Sequence, residues 1–219
     1  MAYKHGVYTS EVPTSVVPAV NTAAGLPVVF GTAPVHLASE RAQSNKPILC
    51  YSYAEAVQQL GYSKDWAKYT LCEVMYSQFA LYNRGPVVFV NVLDPQTHKK
   101  STSSKNVTVT NKVAKVDAPV LLDTLQIKAS TAGSALIAGS DYEAAYDDDG
   151  VLVITLLDDG TATAASNLTL TYDEIDAAAV DADDIIGGIN VSDGSVKGLE
   201  CLNKVFPITG LVPGIVLAP

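Results

Sequence analysis

The chain has 219 residues, 48% of them hydrophobic and 17% charged, with a formal net charge of −9. That is ample material for a buried core in one or two domains. No run approaches the ~20 consecutive apolar residues of a membrane-spanning helix, and no basic region followed by an apolar stretch opens the chain, so neither membrane insertion nor secretion is expected.

The first segment, residues 5–34, is apolar and β-branched but has neither helical nor strictly alternating periodicity. Pro13, Pro18 and Pro27 each remove a backbone donor and fix φ, so no long helix can run here and any strand must be short or at an edge. Residues 7–12 and 15–17 can pair as short extended pieces. An extended apolar segment without its own hairpin partner leaves N–H and C=O groups to satisfy, either on its own domain or on the sheet edge of another chain.

Further along, Val28-Val29-Phe30, Ile48-Leu49-Cys50, residues 87–93 and residues 215–218 are short, nearly continuous apolar runs of the kind expected for strands covered on both faces. Between the second and third runs lie two helices. Ser52-Tyr53-Ala54-Glu55 has capping-box spacing and Gly61 stands where a left-handed terminal residue is wanted. Asp65 can cap the second helix, whose stripe Trp66, Tyr69, Cys72, Tyr76 and Phe79 steps by three and four and predicts packing on the sheet. The pattern is that of a layered α/β domain.

After Asp94-Pro95 the composition turns polar, and residues 96–106 read as a flexible connection. The next stretch is β-rich: residues 107–109, 125–127, 151–157 and 168–172 alternate or are β-branched, and Asp147-Asp148-Asp149-Gly150 and Asp158-Asp159-Gly160 read as hairpin turns. The charge is strongly segregated. Residues 1–128 hold 12 Lys/Arg and 8 Asp/Glu, whereas residues 129–196 hold no Lys or Arg and 14 Asp/Glu. Such a switch marks a separately exposed module. The reading is therefore an α/β (α+β) layered domain with an inserted all-β sandwich or barrel and an extended N-terminal arm: arm 1–25, discontinuous α/β core 26–98 plus 190–219, and acidic β-rich insert 99–189. Residues 176–189 read as a short helical return path. An acidic surface repels phosphate and the basic residues are scattered, so nucleic acid is not an expected partner.

Chemistry finds little support in the motifs. Counting back from Gly150, Asp149 and Asp147 fit a calcium loop, but Ala145 stands where the first carboxylate is needed. Phosphate-binding, dinucleotide, nucleophile-elbow and zinc-helix motifs are all missing. The remaining enzymatic possibility is a constellation of Cys50 or Cys201 with His36. Neither a catalytic residue, a cofactor nor a metal is assigned. Cys50, Cys72 and Cys201 are far apart in apolar sequence and read as reduced core thiols.

The strings GVYTSEVP, VVFGTAPV and, near the other end, LNKVFPITGLVPGIVLAP resemble segments of the tail sheath proteins of contractile bacteriophages, prophages and related particles. The resemblance implies a virion structural subunit, made in the bacterial host cytoplasm, that polymerises as a helical tube around an inner tail tube and contracts to drive it into a target cell. Its implied partners are other copies of itself, through strand exchange, and the inner tube protein, without nucleic acid, membrane insertion or cofactor. Carried onto this chain, the exchanging arm is Gly6, Val7, Tyr8, Thr9, Ser10, Glu11 and Val12. Sheath proteins usually continue past the LVPGIVLAP-like motif, so the core domain is expected to be incomplete at Pro219. The alternative is a surface-exposed module recognising a cell-surface partner or carbohydrate, which would need an exposed aromatic cluster built from Tyr142, Tyr146 and Tyr172.

Overall fold

The computed structural model describes residues 25–130 and 133–219. In chain order the elements are β1 (Leu26–Gly31), β2 (Ile48–Cys50), α1 (Tyr53–Leu60), α2 (Thr70–Met75) running on into a π-helical segment (Tyr76–Leu81), and β3 (Val87–Asn91). Then come β4 (Lys99–Thr108), β5 (Val113–Val116), β6 (Gln126–Lys128), β7 (Tyr142–Tyr146), β8 (Leu152–Leu156) and β9 (Asn167–Ile175). The chain closes with α3 (Ala182–Ile186), the hairpin β10 (Gly188–Ile189) and β11 (Val196–Lys197), a 3-10 segment (Gly198–Lys204), α4 (Val205–Thr209) and β12 (Pro213–Leu217).

One sheet has the order β12-β1-β3-β2, with β12 and β3 parallel to β1 and β2 antiparallel to β3. Successive side chains of a strand point to opposite faces, and here both faces are covered. Val29, Val87 and Phe89 pack with Leu60 of α1 and Leu71, Met75 and Phe79 beyond it. Val28, Phe30, Val88 and Val90 pack on the other side against Cys201 and Val205. The continuous apolar runs of β1 and β3 follow from this two-sided burial.

At the start of α1, the Ser52 hydroxyl accepts from the Glu55 N–H at 3.3 Å, while the Glu55 carboxylate accepts from the N–H of Tyr51 at 2.7 Å, one residue before the partner the capping-box spacing predicts. Gly61 ends the helix at a positive φ of 73°, but its ψ of 174° is extended and not the left-handed helical conformation its position leads one to expect. The second helix departs from the expected stripe. Residues 65–69 form a turn, and the regular helix begins only at Thr70 because the Thr70 hydroxyl and N–H exchange hydrogen bonds with the N–H and hydroxyl of Thr32, just beyond β1. Tyr69, Cys72, Met75 and Phe79 are buried, whereas Tyr76 is displaced to the surface, where Trp66 lies beside it with ring centres 5.7 Å apart.

Residues 99–175 contain two antiparallel sheets, β4-β9-β6 and β5-β8-β7, that share a separate apolar core including Ile127, Leu152, Ile154, Leu168 and Leu170. The connection expected at 96–106 is instead largely β4. Its side chains are polar and exposed because it is an edge strand whose order comes from main-chain pairing with β9, from Lys99 opposite Ile175 to Thr108 opposite Asn167. Hydropathy carries no signal for such a strand. The turn at Asp147–Gly150 joins β7 to β8, which pair. Asp158-Asp159-Gly160, by contrast, begins a crossover, since β8 and β9 belong to different sheets.

Candidate interaction surfaces

Gly210, at φ 71°, ends α4 in the left-handed conformation and turns the chain into β12. There β12 lies parallel to β1, with Val28 opposite Val216 and Val29 opposite Leu217. The approach at its start is close: a Cβ on Gly214 would lie 2.5 Å from the backbone nitrogen of Gly25, so only glycine fits. The run 215–218 is expected to be buried on both faces, and the structure overturns that. Ile215, Val216 and Leu217 keep 50%, 43% and 39% of their surface, whereas Val28 and Val88 keep none. Position at the edge is the reason, since among the described residues β12 has a strand on one side only. Phe206, Ile208 and Val212, from α4 and the turn after it, are exposed as well.

The edge strand β4 is protected in a way that β12 is not. It carries Lys99, Lys100 and Lys105 and is bulged between Thr102 and Lys105, with Ser104 at φ 54°. Lysines discourage another strand from adding, and β12 carries none; its one irregularity lies at its start, where Gly214 is skipped between Pro213 opposite Leu26 and Ile215 opposite Pro27. The predicted arm, Gly6–Val12, lies outside the described residues.

A cleft of about 600 Å³ separates the two apolar cores, with His36, Tyr69, Lys64 and Lys68 on one side and Asp117, Asp148, Asp149 and Glu174 on the other. His36 packs against Tyr69 and Tyr146, and its Nδ1 has no partner. Burial, and secondarily the charge of Arg41, lower its pKa to about 3, so the ring is neutral at physiological pH. Burial pushes the thiol of Cys50 up to about 12 and also raises that of Cys201, whose Sγ donates to the carbonyls of Asn45 and Val196. Thiols this reluctant to ionise are poor nucleophiles, and Cys201 packs on the sheet face opposite Tyr69, the partner of His36. Cys201 is therefore not brought to His36, and the Cys50 thiol is one that burial keeps protonated. Around the Asp147 turn, the Asp147 carboxylate accepts from the N–H groups of Asp149 and Val151, and among the described residues no group of three or more His, Cys, Asp or Glu is placed to hold a metal.

His98 sits where the chain passes from the first sheet into β4. Its Nδ1 accepts from the Asp94 N–H at 2.9 Å, which puts the ring proton on Nε2, 3.1 Å from the Asp184 carboxylate; its carbonyl accepts from the Asp176 N–H at 3.0 Å. The outgoing and returning strands of chain are thus tied together at one point. Of the three tyrosines required for a recognition patch, Tyr142 and Tyr172 are buried, and the Tyr146 hydroxyl donates to the Val120 carbonyl at 2.7 Å. They are packing residues. A pocket of about 380 Å³ around Lys46, Lys197 and Lys204 leaves no signal in the sequence, because these residues lie in segments far apart along the chain.

Compared with known proteins, the chain is 30% identical over 223 residues to a tail sheath protein of Burkholderia phage BcepMu, a match covering 99% of this chain and 43% of that protein. The chain thus spans less than half the length of the curated relative it matches, and it is related to phage tail sheath proteins along essentially all of its own. No family model matches it, and no solved structure does.

Proposed function

We propose that this relative of tail sheath proteins is part of the structural subunit of a contractile sheath, whose copies polymerise as a helical tube around an inner tail tube and shorten to drive that tube into a target cell. The observation that carries the reading is the likeness to a phage tail sheath protein along 99% of the chain. The apolar edge of β12, uncovered among the described residues, supports it. Main-chain pairing is strong in sum and largely indifferent to side-chain detail, so an added strand can keep subunits connected while they rotate. In this reading Gly6–Val12 of one copy is an exchanging strand, and a sheet edge such as β12 is where a neighbouring segment adds. The layout that goes with it is an arm at 1–25, a discontinuous α/β core at 26–98 and 190–219, and an acidic β-sandwich at 99–189 on the outside of the particle; an apolar core within residues 107–172, distinct from the clusters on the two faces of the first sheet, supports that division. No bond-making chemistry is required, since the work comes from a metastable assembled state.

The test is negative-stain electron microscopy of the whole reading frame in which the sequence occurs, beside residues 1–219 alone. Striated tubes from the whole frame, lost when Val7 and Val12 are replaced by proline, are the expected result. Dispersed particles under every condition would reject the assembly.

A further inference from the structure

Lys46, Lys197 and Lys204 converge on one pocket of about 380 Å³, together with Gln43, Ser44 and Ser195. In a chain of net charge −9 with 14 basic residues, three in one pocket is a concentration of positive charge. Among the described residues none of the three forms an ion pair; the Lys and Arg side chains that do are Arg41, Lys68, Lys99, Lys112 and Lys115. One carboxylate, that of Asp94, lines the pocket too, and it accepts from the Gln96 N–H.

The pocket is also held in shape. Asn45, at φ 54°, donates its N–H to the Asn91 carbonyl at the end of β3, accepts from the Gly198 N–H through its side chain at 2.8 Å, and accepts from the Cys201 thiol through its carbonyl. Those three bonds fix the loop bearing Lys46 to the segment bearing Lys197 and Lys204, so the three ammonium groups are presented by a pinned frame.

The same chain supplies the complementary surface. Residues 129–196 contain no Lys or Arg, and two acidic turns stand in the β-rich part: Asp148-Asp149, exposed and outside the ion pairs of the described residues, and Asp158-Asp159, of which Asp158 is paired with Lys112. We propose that the Lys46, Lys197 and Lys204 pocket is an electrostatic docking site for a second copy of this chain, which inserts an acidic turn of its residues 129–196. Such a contact either closes as a two-fold dimer, each copy giving its turn to the other's patch, or runs head to tail into rings or open helical arrays. The proposal extends the assembly reading and fails separately from it: strand addition is lost on changing Gly6–Val12 at any salt concentration, whereas this contact is lost on raising salt or reversing the lysines.

Sedimentation velocity of the 219-residue chain at high concentration tests it. At ~20 mM salt the chain should self-associate, and at ~500 mM, where the screening length falls to roughly 4 Å, association should weaken at least ~10-fold. K46E/K197E/K204E should weaken it to the same extent, while K64E/K100E/K105E, with the same change in net charge, should not. Mixing K46E/K197E/K204E with a variant carrying D148K/D149K or D158K/D159K should restore a mixed species. Equal effects of the two lysine triples, failure of both mixtures, or absence of salt-sensitive association would overturn the assignment. So would saturable binding of inorganic phosphate to the pocket without association, which would make it a small-anion site.

Discussion

Replacing Val216 by lysine separates the stability of the chain from its capacity to be built upon. Fully burying a Val, Leu or Ile side chain contributes ~1.5–3 kcal/mol. With 50%, 43% and 39% of Ile215, Val216 and Leu217 still exposed, about 2–4 kcal/mol of apolar burial is left to be gained when β12 is covered, besides ~0.5–1.5 kcal/mol for each main-chain hydrogen bond to an added strand. Within the chain itself, Val216→Lys loses only the part of the side chain already buried, about 1 kcal/mol, and a lysine stem retains some of that contact. On assembly the ammonium would have to be desolvated or the strand left uncovered. Urea unfolding of the variant should therefore move by about 1 kcal/mol or less, while tubes of the whole reading frame fail to form. A loss of about 3 kcal/mol or more from the isolated chain would show that Val216 is a core residue there, and intact tubes would show that this edge is not used; either result refutes the reasoning.

Phe89→Ala, in the middle of the central strand and against Phe79, should cost about 3–5 kcal/mol in denaturant unfolding, which is the ordinary penalty of a large core cavity. Gly214→Ala should push β12 away from β1, lowering stability by ~1–3 kcal/mol and accelerating amide exchange along Val28–Phe30. His36 titrates near 6.5 when unfolded and near 3 when folded, so the unfolded state binds more protons and stability rises with pH. The contribution of His36 is full above about pH 6.5 and falls by about 1.4 kcal/mol for each unit of pH toward 3, and in His36→Gln this part of the pH dependence should vanish. Cys50 and Cys72, each held near 12 by burial, and the raised Cys201 should resist a thiol-specific reagent at about pH 8 in the native state and all react on unfolding; fast native labelling of any one would contradict its buried position.

The sequence by itself determined the elements whose signals are local. The runs around Val28-Val29-Phe30 and Val87–Val90 declared strands because both faces demand apolar side chains, and Ser52 and Gly61 bounded α1 because helix ends require a side-chain acceptor and a residue tolerant of positive φ. The segregation of charge after residue 128 and the turn at Asp147–Gly150 were legible for the same reason. Tertiary structure decided whatever depends on a partner distant in sequence. Polar β4 is ordered only because β9 pairs with it; the helix after Asp65 starts late because Thr32 captures Thr70; and Asp158-Asp159 opens a crossover because β9 lies in the other sheet. The candidate surfaces belong to this second group. Ile215, Val216 and Leu217 look like core residues and are exposed because no strand among the described residues flanks β12 on its second side, and three lysines scattered between residues 46 and 204 become one patch only when Asn45 is tied to Gly198. Hydropathy reports how well a residue suits burial, and it is the pairing of distant backbone segments that determines whether the burial occurs.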